Sequence, residues 1–153
     1  MTSFVDNSTS RLTRSGIYLK HTGTAKGRGV FASRNFSEGE IIEECPVLLF
    51  KAPFSPPGDL KRVIFSWLAL AKPTNGYISA LALGFGSMYN HDNPANMRYE
   101  ADKKNLTLKF SAARNIRAGE ELTINYNARG GEASSDDNIW FERMNVRPIV
   151  SDR

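Results

Sequence analysis

Apolar and polar residues alternate over several short stretches of the chain. The clearest stretch is LTLKFSA at residues 106–112, in which every second side chain is apolar. A period of two is typical of a half-buried β-strand, because successive side chains point to opposite faces of a sheet. Together with residues 97–101, this stretch predicts a β-hairpin around a turn at 102–105. Shorter apolar runs predict further strands at residues 17–20, 30–32, 41–49 and 121–126.

A helical period is found in one stretch, from about Leu60 to Ala71. Residues 60, 64, 67, 68 and 71 are apolar and would share one face of a helix. Asp59 is the expected N-cap, and the sequence PTNG at 73–76 is expected to end the helix. A polar, mobile-looking tail at 130–137 precedes the apolar NIWF at 138–141, which we expect to pack on the domain.

Pro46 falls inside the apolar run at residues 41–49 and predicts a bulge or an edge position, because proline cannot donate to a β-ladder. Tight turns are predicted at 26–29, 37–40 and 118–120, and no internal repeat is visible. Many short strands with one or two helices favour a mainly β fold over an alternating βαβ fold. A chain of 153 residues is expected to form a single domain.

Composition narrows the class of protein further. The net charge of +4 is mild, and the basic residues are spread along the chain instead of clustered. This charge is compatible with an acidic partner but is not the pattern of a nucleic-acid-binding protein. No apolar run approaches a membrane span, and MTSFVDNSTS lacks the layout of a signal peptide, so we expect a cytoplasmic protein. The single Cys45 excludes an internal disulfide and a cysteine-rich zinc site, and we expect it to be a buried thiol.

The stretch SMYNHDNPAN at residues 87–96 holds His91, one of only two histidines. A zinc-type site needs three or four ligands at defined spacing, and only Asp92 is near His91 in the sequence. A general base needs an orienting carboxylate and a nucleophile, and the stretch supplies no clear pair. Asn, Asp and Pro also favour an ordinary turn. From this stretch alone a turn is the favoured interpretation, with metal ligand and general base as alternatives.

Two other features are equally ambiguous when taken singly. Gly27 and Gly29 frame a turn in which the backbone can approach a ligand closely, yet the third glycine of a dinucleotide fingerprint is missing. Tyr126 ends a predicted strand and, by itself, is an ordinary half-buried tyrosine.

The order and spacing of KGRGVFA, GFGSMYNH and AGEELTINY change this interpretation. Together with GVFASRNFSEGEIIEE they resemble the SET domain of protein lysine methyltransferases, from about residue 17 to residue 126. The layout is especially similar to the stand-alone minimal SET proteins of bacteria and large viruses, which lack cysteine-rich zinc flanks. The resemblance implies a mainly β SET fold with an N-terminal extension at 1–16, the SET domain at 17–128, and a C-terminal segment at 129–153 that closes over a cofactor.

The resemblance also implies S-adenosylmethionine as the cofactor, S-adenosylhomocysteine as the product, and no metal. In the family the G-x-G turn and the Asn of the Asn-His pair hold the methionine part, while the His contributes main-chain contacts near the adenine. Trp140 and Phe141 are expected to cover the adenine, with a tail that only docks on the core as the alternative. The residues implied in cofactor binding are Lys26, Gly27, Arg28, Gly29, Tyr89, Asn90, His91, Tyr126, Trp140 and Phe141.

The reaction that the resemblance implies is a direct methyl transfer, in which a neutral lysine amine attacks the sulfonium methyl in line. Tyr126 resembles the catalytic tyrosine of the family. With an ordinary pKa of about 10, its hydroxyl stays protonated near neutrality. The segment that ends at Tyr126 is expected to pass the Asn-His loop in a knot-like crossing, or pseudoknot, which brings Gly29, Asn90 and Tyr126 together.

The expected substrate channel includes Trp67, Tyr77 and Ile124. Ile124 stands where the family commonly has Phe or Tyr and offers no hydroxyl, so we expect that more than one methyl group can be added. The chain departs from the family pattern at Asp92, which replaces a serine, and at Pro94, which is shifted by one position. We expect the loop to differ locally there.

The implied function is that of an S-adenosylmethionine-dependent protein-lysine N-methyltransferase acting on histones or other basic proteins. The alternative is a catalytically inactive SET-like module that binds a protein or peptide. The expected partner is a protein or peptide with an acceptor lysine, without direct nucleic-acid or membrane binding. A homodimer and delivery to a host nucleus are left open.

Overall fold

The computed structural model describes residues 12–51 and 58–149, which form a mainly β fold of two five-stranded sheets with short helices. The prediction of a mainly β fold is confirmed. In the described residues no helix is both long and apolar enough to cross a membrane. The strands are β1 Leu12–Arg14, β2 Ile17–His21, β3 Arg28–Ala32, β4 Ile41–Lys51, β5 Ile64–Ser66, β6 Tyr77–Ala82, β7 Asn90–His91, β8 Met97–Asp102, β9 Thr107–Ala112 and β10 Glu121–Ile124. The helices are α1 Trp67–Leu70, α2 Ile139–Met144 and the 3₁₀ helices Gly58–Arg62 and Gly86–Met88.

The first sheet has the strand order β1-β2-β3-β10-β7 and carries the Asn-His pair at its edge. Strands β1, β2, β3 and β10 pair antiparallel, whereas β7 pairs parallel to β10, with Asn90 opposite Thr123 and His91 opposite Ile124. Strand β1 lies within the predicted N-terminal extension. The parallel pairing holds the Asn-His pair beside the strand that leads into Tyr126.

The second sheet has the order β5-β6-β4-β9-β8. The predicted hairpin is confirmed, with β8 and β9 paired antiparallel from Met97–Ala112 to Asp102–Thr107. Strand β4 lies in the middle and pairs with β9 up to Pro46, then with β6 from Val47 onward. At Pro46, β4 therefore has a strand partner on one side only, so the missing N–H is tolerated within a central strand.

Of the two alternatives predicted for Pro46, this one-sided pairing agrees with an edge-like position and not with a bulge, because the register shifts of β4 fall elsewhere. One shift lies between Phe50 and Lys51, and another lies between Ile41 and Glu43. The second shift leaves Ile42 and Glu43 both buried although they are adjacent. A bulge re-aims a side chain in this way, and here it turns a carboxylate into the interior.

The predicted helix from Leu60 to Ala71 is wrong. A 3₁₀ helix, the strand β5 and the four-residue helix α1 occupy this segment, and β5 pairs antiparallel with β6. The N-cap is Ser66, whose hydroxyl accepts from the Ala69 backbone N at 3.2 Å, in place of Asp59. The apolar residues of this segment fit a short strand as well as a helix, because apolar periodicity is ambiguous over so few residues. The pairing of β5 with β6 decides in favour of the strand.

Two matching turns, which the sequence analysis missed, tie the sheets together. Residues 32–42 (ASRNFSEGEII) and 112–122 (AARNIRAGEEL) are an internal repeat. The Asn35 Oδ1 atom accepts from the Ala118 backbone N at 2.9 Å, and the Asn115 Oδ1 atom accepts from Glu38 N at 2.9 Å. This reciprocal pair of turns fixes the starts of β4 and β10, both of which carry residues of the site described below.

The core lies between the two sheets and holds the larger apolar side chains. Phe110, Met97 and Leu108 are fully buried, and Cys45 is buried as predicted. Burial raises the pKa of the Cys45 thiol far above its usual range, so the thiol stays protonated.

The tail at residues 130–137 was expected to be mobile, but in the structure its backbone is hydrogen-bonded to β8 and to the loop before β8. The Tyr99 N donates to Gly131 O at 3.0 Å and Ala95 N donates to Ala133 O at 2.7 Å.

Candidate active site

Tyr126 follows β10 and lies half-buried with its hydroxyl hydrogen-bonded to backbone. The hydroxyl donates to the Tyr89 carbonyl O at 2.7 Å. Burial, followed by the charge of Glu121, raises the pKa of Tyr126 above its usual range, so the phenol keeps its proton. Because that proton is directed at Tyr89, the lone pairs of the Tyr126 oxygen are left to accept hydrogen bonds from a ligand.

Tyr89 is held by a buried carboxylate. Its hydroxyl donates to the Glu43 Oε1 atom at 2.8 Å, and the side chain is only 2% exposed. The Glu43 Oε2 atom also accepts from the Phe85 backbone N at 3.1 Å and lies 3.1 Å from Nε of Arg14. Glu43 thus fixes Tyr89, and the Tyr89 carbonyl in turn fixes the hydroxyl of Tyr126.

Asn90 lies between the glycine turn and β10. Its Nδ2 atom donates to the Arg28 carbonyl O at 3.0 Å and to the Glu121 Oε1 atom at 2.7 Å. A Cβ atom at Gly29 would collide with the Glu121 carboxylate and would lie 2.9 Å from the Asn90 Nδ2 atom. A side chain at position 29 would therefore displace the Glu121 carboxylate or the Asn90 amide, and glycine there leaves room for the hydrogen bond between them.

His91 acts through its ring as well as its backbone. The Nδ1 atom accepts from the Tyr126 backbone N at 3.0 Å, and the His91 carbonyl accepts from Lys26 Nζ at 3.2 Å. Burial lowers the pKa of His91 to about 4, despite the nearby charge of Asp92, so the ring is neutral at physiological pH. A neutral ring is required, since a protonated Nδ1 could not accept the bond.

Asp92, the departure from the family pattern, takes part in the turn after β7. Its backbone N donates to the Ile124 carbonyl at 3.2 Å, and its Oδ1 atom accepts from the Asn93 backbone N at 2.8 Å. The Asn93 side chain exchanges hydrogen bonds with the backbone of Ser135. The carboxylate thus helps to shape the turn that binds the C-terminal tail.

Helix α2 packs two aromatic side chains against Tyr126 and His91. The ring centroids of Tyr126 and Trp140 are 4.7 Å apart, and those of His91 and Phe141 are 4.6 Å apart. The Trp140 backbone N donates to the Asn127 Oδ1 atom at 3.0 Å, which fixes the start of the helix beside Tyr126.

Two cavities meet at Tyr126. The smaller, of about 400 Å³, is lined by residues from the glycine turn, β7 and α2. The larger, of about 500 Å³, is lined by the first 3₁₀ helix, β5, α1 and the segment after β10. The residues common to both cavities are Arg62, Val63, Ser87, Tyr126 and Trp140. Ligands in the two cavities would therefore both lie beside Tyr126.

The structure brings most of the predicted cofactor residues to the smaller cavity. Gly27 and Gly29 belong to the turn beside it but do not line it, and Tyr89 lines the larger cavity. The predicted residues that line the smaller cavity are Lys26, Arg28, Asn90, His91, Tyr126, Trp140 and Phe141.

Of the predicted substrate-channel residues, Ile124 lines the larger cavity. Trp67 is 2% exposed and packs in the core, and the ring of Tyr77 lies 5.0 Å from Lys51 Nζ; neither lines the cavity. Val63 and Phe65 line it in their place.

Sequence reasoning missed several residues of the site. Glu121 holds the Asn90 amide, and Phe65 and Tyr99 pack edge to face at 5.3 Å in the wall of the larger cavity. Ser87 lines both cavities, and its buried Oγ has no hydrogen-bond partner among the residues that the structure describes. The alternation of β10 could have indicated that Glu121 points toward the site. The roles of Phe65, Ser87 and Tyr99 depend on contacts between distant segments of the chain, which the sequence does not show.

Comparisons with known proteins agree with this geometry. The family model described as "SET domain" matches residues 27–127. A Schizosaccharomyces pombe protein described as "Histone-lysine N-methyltransferase, H3 lysine-37 specific" is 34% identical over 133 residues, which are 84% of this chain and 79% of the relative.

Solved structures show the same fold. A Plasmodium falciparum protein named as a candidate histone methyltransferase has a TM-score of 0.57 at 27% identity, covering 73% of this chain and 97% of that one. A chain of an active polycomb repressive complex 2 in the basal state has a TM-score of 0.56 at 23% identity over 73% of this chain and 15% of its own. With this family match and this curated relative, the chain belongs to the SET-domain family of protein-lysine methyltransferases.

Proposed function

We propose that the chain transfers a methyl group from S-adenosylmethionine to the ε-amine of a protein lysine at the point where its two cavities meet. The smaller cavity is the cofactor site and the larger is the lysine channel. The observation that carries this proposal is the position of Tyr126, which lines both cavities and presents its oxygen as an acceptor.

The smaller cavity fits a cofactor with an amino acid end and an adenine. The side chains of Lys26 and Asn90 line this cavity and offer polar groups to the amino acid end, and the rings of Trp140 and Phe141 offer an apolar cover to the adenine. S-adenosylmethionine supplies the electrophilic methyl group when bound. The parallel pairing of β7 with β10, and the bond from Tyr126 N to His91, support the pseudoknot expected for this loop.

In the lysine channel, the residues orient and desolvate the amine. A largely apolar wall that includes Phe65, Ile124 and Trp140 favours the neutral amine, because burial disfavours the charged form. The Tyr126 oxygen accepts a hydrogen bond from an amine N–H and leaves the nitrogen lone pair free to react. No acid–base pair is needed, since the work of the protein is positioning.

The number of methyl groups added is expected to exceed one. Ile124 offers no hydroxyl in the channel, and the hydroxyl protons of Tyr126 and Tyr99 are directed at backbone carbonyls at 2.7 and 3.4 Å. The channel therefore has few free donors to hold a monomethylated amine in an unreactive orientation. Mass spectrometry of the methylated substrate measures this directly, and a strictly monomethyl product would contradict it.

The substrate is proposed to be a lysine of a histone or another basic protein. The Schizosaccharomyces pombe relative is described as specific for lysine 37 of histone H3, which supports a histone-type acceptor. We also propose that residues 17–128 are the catalytic domain and that residues 129–153 close the cofactor site, which the packing of α2 on Tyr126 supports.

Two measurements in sequence test the proposed function. Calorimetric titration with S-adenosylmethionine should show binding, and labelled-methyl transfer onto purified histones and a cell lysate should show a lysine product. Binding without transfer to any protein, and no effect of Tyr126→Phe, would support the inactive binding module. Neither binding nor transfer would contradict the proposal.

A further inference from the structure

The mouth of the larger cavity carries basic side chains from three separate parts of the chain. Lys61 lies in the last turn of the first 3₁₀ helix, Arg129 follows β10, and Arg143 lies on α2, and all three are exposed. All three line the cavity, as does Arg62, and none of its described lining residues is acidic. Because the three cations are exposed and line the cavity, they lie where it opens to solvent, and Lys61, Arg129 and Arg143 are called the basic rim below.

These cations are available to a ligand. Within the described residues, no ion pair joins Lys61, Arg129 or Arg143 to an acidic side chain. Some exposed arginines elsewhere differ in this respect, since Arg34 and Arg114 are paired with glutamates within their own turns. Because no such pair holds them, the charges of this rim can act on a ligand that approaches the opening.

A positive rim has two effects on a peptide whose lysine enters the cavity. It lowers the pKa of the lysine ammonium, because nearby like charge disfavours the charged form, and so increases the fraction of reactive neutral amine. It also repels arginine and lysine side chains next to the acceptor and attracts aspartate and glutamate. Both effects follow from the same three side chains.

We propose that the enzyme selects acceptor lysines that are flanked by acidic residues. This inference rests on the proposed function, since it concerns the lysine that enters the larger cavity. It is compatible with a basic protein as substrate, because a protein that is basic overall can present a single lysine between acidic neighbours. The basic rim thus narrows the substrate from a class of protein to a local sequence context.

An acidic peptide fits the site better than a nucleic acid. The cavity of about 500 Å³ has Phe65, Tyr99 and Tyr126 among its lining residues, so apolar and aromatic surface is offered to an inserted side chain. The net charge of the whole chain is only +4. Cations on three separate elements beside one cavity suit the residues that flank an inserted lysine, whereas phosphate backbones are bound along extended basic surfaces.

Three peptides of equal length test the proposal. Each has one lysine, flanked on both sides by glutamate, glutamine or arginine. At low ionic strength kcat/KM should be about tenfold higher with glutamate than with arginine flanks, with glutamine between them. The difference should shrink at high salt, because exposed charges are screened.

Charge-reversal variants tie the preference to the rim. Arg129→Glu and Arg143→Glu should each reduce the preference for glutamate flanks, and the double variant should favour arginine flanks. Lys104→Glu makes the same charge change in the exposed β8–β9 turn, outside both cavities, and should leave the preference unchanged. The thermal midpoints should stay close to that of the wild type, since both arginines are exposed.

The outcomes separate this inference from the proposed function. Equal kcat/KM for the three peptides, or a preference for arginine flanks, would overturn the inference while methyl transfer itself continues. A duplex DNA competitor that inhibits transfer, together with no effect of the flanks, would assign the rim to nucleic acid and also overturn it. Absence of transfer to every peptide and to histones would overturn the proposed function and this inference with it.

Discussion

At the scale of single residues, hydrogen-bond direction decides what each group of the site can do. The Tyr126 proton is directed at the Tyr89 carbonyl, so the phenol offers an acceptor to a ligand. The His91 ring accepts from Tyr126 N, so it contributes structure and cannot serve as a free base on that nitrogen. The two residues therefore have different roles: Tyr126 faces a ligand, whereas His91 holds the backbone of Tyr126 in place.

The pH dependence of stability tests the role of the His91 ring. The pKa of His91 is lowered to about 4 from an ordinary 6.5, mainly by burial, so between these values the unfolded chain binds a proton that the folded chain does not. Folding stability should therefore fall as the pH is lowered from 6.5 to 4. His91→Gln keeps an acceptor without this titration, so urea unfolding at pH 7 and pH 5 should show a smaller loss than in the wild type. Equal losses in both proteins would contradict this account.

The residues of the site could be predicted from the sequence where they belong to a motif, but the contacts between them could not. The sequence alone indicated Asn90, His91 and Tyr126 as one site through a family resemblance. It did not indicate that Glu121 holds the Asn90 amide, because that contact depends on the register of β3, β10 and β7. Asp92 was unexplained in the sequence, and its bond to Asn93 N is a local turn that geometry alone reveals.

At the scale of elements, the bulge in β4 connects the second sheet to the active site. It turns Glu43 inward, where the carboxylate accepts from the Tyr89 hydroxyl and the Phe85 backbone N. The neighbouring Glu44 points outward and accepts from the Thr107 hydroxyl at 2.8 Å. Adjacent residues of the same type thus occupy opposite environments.

Substitution of these two glutamates should give very different results. Glu43→Ala leaves a buried hydroxyl and a backbone N–H without an acceptor, and should cost about 3 kcal/mol of unfolding free energy. The matched control Glu44→Ala should cost less than about 0.5 kcal/mol. Glu43→Gln keeps an acceptor and should retain the fold while lowering methyl transfer, because the Tyr89 carbonyl is less firmly held. Similar stabilities for Glu43→Ala and Glu44→Ala would contradict this role.

Short strands could be predicted where apolar and polar residues alternate regularly. They could not be predicted where the apolar residues fit both the helical period and a strand. The β8–β9 hairpin follows from its period of two and its turn residues. The segment 60–71 satisfied a helical period, yet its burial is achieved by pairing β5 with β6, a contact that local sequence does not encode. The turns at 32–42 and 112–122 have similar sequences, but their relationship becomes clear only from the reciprocal hydrogen bonds of Asn35 and Asn115.

At the scale of the whole molecule, the C-terminal segment completes both cavities. Residues 131–135 bond to β8 and to the loop before it, whereas α2 supplies Trp140 and Phe141 to the site. Deletion from residue 138 onward should therefore leave the two sheets folded and weaken cofactor binding at least about tenfold, through loss of the aromatic cover. The exposed Glu142→Ala on the same helix is the control and should bind normally. Unchanged cofactor affinity in the folded deletion variant would favour a tail that only docks on the core.

The arrangement of the whole molecule could be predicted only through the family resemblance. Periodicity indicates strands, but the order β1-β2-β3-β10-β7 joins segments about 100 residues apart, and no local pattern specifies that pairing. The two cavities and the basic rim result from this assembly. They depend on residues that are distant in sequence, so they are visible only in three dimensions.

The most direct test of the central claim compares methyl transfer by the wild type and by Tyr126→Phe. Labelled S-adenosylmethionine is supplied with histones, and the modified residue is identified by mass spectrometry. The wild type should modify a lysine ε-amine. Tyr126→Phe should lose at least about a hundredfold in rate, because the channel loses the acceptor that orients the amine. It should retain cofactor affinity within about twofold and lose only about 1 kcal/mol of stability. Transfer at the wild-type rate by the folded Tyr126→Phe variant would contradict the account.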